Sequence, residues 1–420
     1  MTLAARWTRS LRVLLLTVVV LAVACTLPYA LAPTYRYPEA APFAGARWYN
    51  PYAGMRGTWR KTSLHAHGLT CCTEAAVRRA DQRIESYYRD SLRYDVALVS
   101  DHQRLSTLPG LPEYEHGINV RKTHQIVLGA RHVDWFDFPL IQSTNDKQFV
   151  IDRLRSQGPL VMLAHPEIRD GYSLDDLRRL TGYGLMEVMH EGSSFEPWWD
   201  AALSAGRLSW ATGSDDAHGL ARPRKMGLSW TMIRAPSTSP DALLAALRAG
   251  WTYAVGGVRG VNDVRLRSVE LRGDTLVVRT EPGADAFTFI GQAGRVRAVV
   301  HDAAVARYVL RPQDTYIRTV VHTPHTSLYL NPVVRSAAGG PPLQLAAVPG
   351  PHTGWIFPVG FGLVAAAGAG WRRRPRWPRR TRWPAARRRG RRTGAGPAAA
   401  RPRPRIHAPL STPGSSRRVS

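Results

Sequence analysis

Short apolar runs that end in histidine or an acid recur through the middle of this chain and leave little choice of architecture. DVALVSDH, HQIVLGA, PLVMLAHP, GLMEVMH and LSWATGSDDAH alternate with helix-patterned segments such as TEAAVRRADQRIESYYRDSLR, QFVIDRLRSQ and SPDALLAALRAG. Strands that alternate with helices predict a parallel sheet or a β/α barrel. In such folds the strand ends converge on one face, where active sites form. Of the 14 histidines, nine lie between residues 65 and 218, most of them at such ends.

SLHAHG supplies His65 and His67. Residues two apart on a strand face the same side, so both imidazoles can reach one metal. VSDHQR supplies Asp101 and His102. PGLPEYEHGINVRKTHQIVLG supplies Glu115 and His124, with Glu113 and His116 as competing choices. A carboxylate can bridge two metals, which a neutral imidazole cannot do. VMLAHPE supplies His165, and WATGSDDAHG supplies Asp216 and His218 after a Gly-Ser turn. Each cluster alone fits ordinary packing. Burying so many polar rings without partners would be costly, so together they predict a multinuclear metal site.

After Gly256 the pattern changes to period-two alternation, as in VRLRSVELRGDTLVVRTE and TYIRTVVHT. That texture predicts an all-β, sandwich-like domain over 262–336, after an α/β domain over 59–258. Segments 34–58 and 337–354 read as linkers. Hydrophobic residues make up 44% of the chain, which excludes wholesale disorder. With three cysteines there is no disulfide scaffold. Cys71 and Cys72 are adjacent, a strained position for a disulfide, and read as free thiols or a marginal metal contact.

The net charge of +26 suggests nucleic acid until it is located. Residues 372–420 hold 17 Arg and no acid, residues 1–33 hold three Arg and no acid, and 34–371 carry only +6. The Arg block is rich in Pro, Gly and Ala and reads as a disordered flank, which argues against nucleic acid as the main partner. Residues 1–33 pair Arg6, Arg9 and Arg12 with about twenty mostly apolar residues, enough to cross a bilayer as an uncleaved signal anchor. A second candidate span is 355–371, bounded by Trp355 and Trp371. The positive-inside rule then predicts a membrane-anchored chain whose residues 34–354 are extracytoplasmic.

In this order the residues resemble the PHP family, the polymerase and histidinol phosphatase superfamily. The motifs are His65-Ala66-His67, Asp101-His102, Glu115, His124, His165-Pro166 and Asp216-Ala217-His218, spread over about residues 59–256. DALLAALRAGWTYAVGG looks like the end of such a domain. TYIRTVVHTPHTSLYLNPVVR looks like the C-terminal module of stand-alone PHP phosphoesterases. The resemblance implies an α/β fold, a distorted (β/α)7 barrel followed by the small all-β domain, here with terminal membrane segments. It implies two or three divalent ions, manganese, zinc or iron. His65, His67, Glu115 and Asp216 would hold one. Glu115 would bridge to a second with His124 and His165, and His102 and His218 would hold a third. Two departures stand out. Ser63 occupies a place where the family often has Asp, and LTCCTE replaces a further His or Asp of the third site, where Cys72 or Glu74 could serve.

The implied activity is a phosphoesterase that uses metal-activated water. Asp101 would orient a neighbouring imidazole. Arg104, Arg121 and Lys122 are candidate phosphate binders, with surface charge as the plainer reading. The same ligand set could serve a carbamate, ester or amide hydrolase, or hold metal in a non-catalytic surface module. Export argues against histidinol phosphate and replication. Small-molecule, nucleotide and lipid phosphoesters stay open as substrates, the membrane is the expected partner, and no obligate protein partner is evident.

Overall fold

The computed structural model describes residues 3–68 and 73–352; the apolar run 355–371, the Arg-rich tail 372–420 and Cys71–Cys72 lie outside the described residues. The chain begins with α1 (Leu3–Leu31), β1 (Pro33–Arg36) and β2 (Arg47–Tyr49). Next come β3 (Thr58–Ser63), β4 (Ala66–His67), α2 (Glu74–Ser86), β5 (Val96–Ala97), β6 (Glu113–His116) and β7 (Gln125–Leu128). α3 (Thr144–Gln157), β8 (Leu160–Leu163), α4 (Leu174–Arg179), β9 (Leu185–His190), β10 (Ser193–Ser194) and α5 (Glu196–Ser204) follow. β11 (Trp210–Ser214), β12 (Ala217–His218), β13 (Ser229–Ala235), α6 (Pro240–Ala249) and β14 (Thr252–Gly257) complete the mixed part. Then come β15 (Arg265–Arg272), β16 (Thr275–Gly291), β17 (Arg295–Val309), β18 (Tyr316–His322), β19 (Thr326–Ser336) and β20 (Val348–His352).

Local chemistry sets these boundaries. Thr73 caps α2, and Ser143 with Asp146 forms a capping box on α3. Ser239 and Pro240 start α6, and Gly250, at φ 73°, ends it. LVML of β8 is buried throughout, as the continuous apolar run of a central strand should be, and LMEVMH of β9 is buried throughout with Glu187 and His190 inside it.

The fold is a mixed α/β one whose sheets curl, and no single ladder of seven parallel strands, as a (β/α)7 barrel would have, runs through the described pairings. Two larger sheets hold most strands, one ordered β10-β9-β8-β7-β6 with β11 beside β9, the other β15-β16-β18-β19-β14-β13-β3-β5 with β17 beside β16 and β2 beside β19; β12-β4 and β1-β20 form two-stranded sheets of their own. β6–β7 and β7–β8 are antiparallel, whereas β8–β9, β9–β11 and β3–β5 are parallel. The connection from β6 to β7 is too short for a parallel crossover, so β7 reverses. Both seams between the sheets are stitched. Glu115 N–H donates to Ser100 O (3.1 Å) and Gln103 N–H to Glu115 O (2.8 Å). At the other seam Gly213 N–H donates to Thr231 Oγ1 (3.0 Å), whose hydroxyl donates back to Gly213 O (2.9 Å).

The β-rich part continues one of these sheets. β14 pairs with β19, Tyr253 opposite Leu330, so no break in pairing separates it from the α/β part. The segments expected as linkers also carry structure. β2 pairs with β19, and β1 pairs with β20, with Pro33 opposite His352. Phe43 and Tyr52 are buried, and the Tyr52 hydroxyl donates to Thr252 O (2.9 Å). Their Pro- and Gly-rich composition hides short strands whose partners are distant in sequence.

One buried ion pair gives a testable pH dependence. Lys147 Nζ lies 2.6 Å from Asp176 Oδ2, and Thr144 and Ser173 also donate to this carboxylate. Burial alone would raise the Asp176 pKa; Lys147 and the hydrogen bonds outweigh it and lower it. A depressed folded pKa stabilises the fold above the unfolded value and loses that stabilisation as pH falls through the folded value. Asp176→Asn is therefore expected to lower stability at neutral pH, with the gap narrowing below about pH 3.9, the ordinary Asp value. Urea unfolding across that range checks it, and a gap that does not change with pH would contradict it.

Candidate metal centre

The histidine clusters meet because of how a few strand ends are placed. His65 lies between β3 and β4, and His67 lies in β4. β4 pairs in parallel with β12, which sets His218 beside His67. His102 follows β5 and bridges to Glu115 of β6. His124 precedes the reversed strand β7, so it starts at the end where β6 and β8 finish. His165, just past β8, and Asp216, just before β12, have φ of 25° and 47°. Such left-handed values in non-glycine residues are costly and gather at functional sites. The loop to His124 passes so close to the ring that a Cβ on Gly117 (φ 136°) would lie 2.3 Å from His124 Cδ2.

Glu115 is the hub. Its Oε1 lies 3.3 Å from His65 Nε2, 2.8 Å from His124 Nδ1 and 3.2 Å from His165 Nε2. Its Oε2 lies 3.1 Å from both His67 Nε2 and His102 Nε2. Asp216 Oδ1 stands 3.2 Å from His65 Nε2 and 2.8 Å from His67 Nε2. His218 Nδ1 is 3.6 Å from Asp216 Oδ1 and also 2.8 Å from its backbone carbonyl. Among the described residues, three groups have donor atoms within 4.8 Å of one another: His65, His67, Glu115 and Asp216; His102, Glu115 and His124; and His67, His102 and His218. The expected third group thus gains His67, while His165 joins through Glu115. His102 and His218 are the more open members, with side chains 31% and 57% exposed.

The donor set fits divalent metal. His65 Nε2 and His67 Nε2 face each other at 3.1 Å. Glu115 Oε2 and Asp216 Oδ1 are buried and accept no hydrogen bond, although imidazole nitrogens surround them. Nitrogen lone pairs and carboxylate oxygens converging on shared points are arranged as ligands. The electrostatics agree. Burial would raise the pKa of Glu115 and Asp216, yet the neighbouring histidines, His65 foremost, hold both well below the usual carboxylate range. Burial, with His67 and His124 nearby, pushes His102 down to about 4 despite Glu115, which leaves a neutral ring with a free lone pair.

The remaining sequence candidates fall into other roles. Asp101 is buried, accepts Gly68 N–H (2.7 Å) and lies 3.9 Å from His67 Nδ1. Arg104, expected to bind phosphate, donates instead to Asp81 (3.1 Å) and to Asp101. Arg121 pairs with Asp170 at 2.8 Å. His116 is engaged at both nitrogens, by Gln125 Oε1 and Phe136 O. Glu113 is buried with neither carboxylate oxygen partnered, and burial raises its pKa well above the usual range.

Sequence reasoning missed Glu187 and His190. Glu187 Oε1 lies 2.7 Å from His65 Nδ1, its Oε2 accepts His165 N–H (2.7 Å), and Ser214 donates to it. His190 Nδ1 is 3.3 Å from Glu187 Oε2. The available signal was an acid and a histidine inside the apolar run GLMEVMH. An ionised carboxylate only accepts, so His65 Nδ1 carries a proton, and Nε2 is the nitrogen whose lone pair would be given to a metal. Glu187→Gln is expected to weaken metal binding by about 10–100-fold. Calorimetric titration with Mn²⁺ measures this, and unchanged affinity would remove Glu187 from the account.

No family model and no curated protein matches this chain. Two solved structures resemble it. One is a two-domain protein containing a predicted PHP-like metal-dependent phosphoesterase from Bacteroides vulgatus, at 13% identity and TM-score 0.36, covering 76% of this chain and 99% of that one. The other is PsfC from Pseudomonas syringae, at 17% identity and TM-score 0.32, covering 46% and 90%. Likeness at these TM-scores carries no functional argument.

Proposed function

We propose that the chain is a membrane-anchored, PHP-like, metal-dependent phosphoesterase. The observation that carries this reading is Glu115, a fully buried carboxylate with five imidazole nitrogens within 3.3 Å. Hydrogen bonding gives one carboxylate no use for five such rings, whereas a bridge between cations needs them. His65, His67, Glu115 and Asp216 would hold one ion. Glu115 with His102, His124 and His165 would hold a second, and His67, His102 and His218 a third. Manganese, zinc and iron all suit this nitrogen and oxygen donor set. Divalent ions bound there would polarise a phosphoryl oxygen and acidify water.

The chain's own groups prepare that chemistry. Glu187 fixes the tautomer of His65. Arg104 and Asp81 hold Asp101, which stands behind His67, so Arg104 is a positioning residue. The buried rings of His65 and His165 keep bulk water off one side, and His102 and His218 leave the other side open to substrate.

The anchor is α1. Among its apolar side chains, Leu11, Leu14, Leu16, Val20 and Leu21 are exposed, and Ser10–Leu31 is long and apolar enough to cross a membrane. Thr17 and Thr26 return their hydroxyls to the carbonyls of Val13 and Ala22, which suits them to lipid. Arg6, Arg9 and Arg12 would lie on the cytoplasmic side and the metal centre outside.

The test is a panel of mono- and diester nitrophenyl phosphates beside aryl carbamates, with the purified full chain and added Mn²⁺. A fragment starting at residue 40 would lack β1 and its pairing with β20. Metal-dependent phosphoester turnover is the expected result. Turnover of carbamates alone would replace this reading with the other hydrolase, and metal binding without any turnover would replace it with a binding module.

A further inference from the structure

Five large apolar side chains stand in the open on adjoining segments beside the metal centre. Ile118, Val120, Trp135, Leu140 and Ile141 are each 45–67% exposed. The two segments are tied together. Ile118 N–H donates to Asp137 Oδ2 (2.7 Å), Asn119 donates to the same carboxylate (3.0 Å), and Val120 N–H donates to Pro139 O (3.1 Å). Single exposed apolar residues need no explanation, but a contiguous group does. This group is also tied to α1. Leu140 N–H donates to the Tyr29 hydroxyl (2.9 Å), and the Tyr29 and Phe138 rings are 5.1 Å apart. The apolar patch therefore begins where the apolar helix ends. Lys122 follows Val120 in the same loop and Trp135 stands in the other segment, and tryptophan and lysine are both residue types of a lipid–water boundary. The loop that carries Ile118 and Val120 is the one that runs from Glu115 to His124 and packs Gly117 on the His124 ring.

We infer that this patch rests in the interfacial layer of the bilayer that α1 enters, and that the metal centre takes its phosphoester from that layer. The substrate class is a phosphoester carried on a lipid; this part rests on the phosphoesterase reading, whereas the docking rests on α1 as the anchor. Continuity with α1 selects the bilayer as occupant over a second copy of the chain.

The docking is tested on the full chain in phosphatidylcholine–phosphatidylglycerol vesicles, with its three native cysteines replaced by alanine. A fluorophore is placed at Trp135→Cys or, as a water-side control, at Val299→Cys on β17. Quenching by spin-labelled lipid is expected to be at least about twofold stronger at 135 than at 299, and quenching by iodide weaker. Iodide quenching at 135 equal to that at 299, or neither quencher reaching 135 because a second copy covers it, would overturn the docking. The double variant Trp135→Asp/Ile141→Asp tests the substrate class. It is expected to lower turnover of a vesicle-borne lipid phosphoester about tenfold and to spare soluble nitrophenyl phosphate. Equal losses on both would overturn the lipid substrate. No turnover of either by the unmutated chain would remove the phosphoesterase reading, and the lipid substrate with it, while the quenching still decides the docking.

Discussion

Glu115→Gln is expected to empty the centre of metal and lower phosphoester turnover by roughly three orders of magnitude, about 4 kcal/mol of barrier. The substitution keeps the shape of the side chain and removes its charge. It also places an amide N–H₂, which is no ligand, against histidine nitrogens that now converge on carboxylate oxygens. Because Glu115 belongs to two of the three donor groups, one change should weaken more than one ion site. Metal analysis of the purified variant beside its kinetics separates this from a fault in folding. A variant that keeps both its metal and its turnover would show that Glu115 is not the bridge.

Arg318→Ala is expected to cost about 3–5 kcal/mol of stability, because it leaves a carboxylate buried without its cation. Arg318 is fully buried on β18. Its Nε and Nη2 reach the two oxygens of Asp200 at 2.8 and 2.6 Å, and its Nη1 reaches Glu196 at 2.6 Å. Tyr316 donates to the same Asp200 at 2.9 Å. These bonds fasten α5 of the mixed part to the β-rich strands. Replacing both partners by apolar groups is far less damaging than removing one, so Arg318→Met/Asp200→Leu should recover part of the loss. Urea or thermal unfolding measures both. A single variant as stable as the unmutated chain would mean that the bonds contribute nothing net.

The sequence was legible where one local pattern carried one consequence. PLVMLAHP and GLMEVMH read as strands, and strands run through both, buried throughout. His65 and His67 sit two apart, and the structure brings both rings to the same carboxylates. Asp216 and His218 meet them through the β4–β12 pairing, which no local pattern announces. What stayed hidden depended on distant partners. β1 and β20 lie more than 300 residues apart, and β1 contains proline and β20 proline and glycine, so each looked like a linker. The reversal of β7 came from the length of one loop, which strand and helix patterns do not record. Arg104 looked free because its partner Asp81 lies on one face of α2, some twenty residues earlier. Glu187 and His190 were passed over because the run around them is apolar, yet burial inside that run is what lets Glu187 set the tautomer of His65.

The most direct test of the central claim is anomalous X-ray scattering from crystals of the full chain grown with Mn²⁺. At least two manganese peaks sharing Glu115 are expected, one of them against His65, His67 and Asp216. Peaks only elsewhere, or a metal-free cluster in a chain that is otherwise folded, would contradict it.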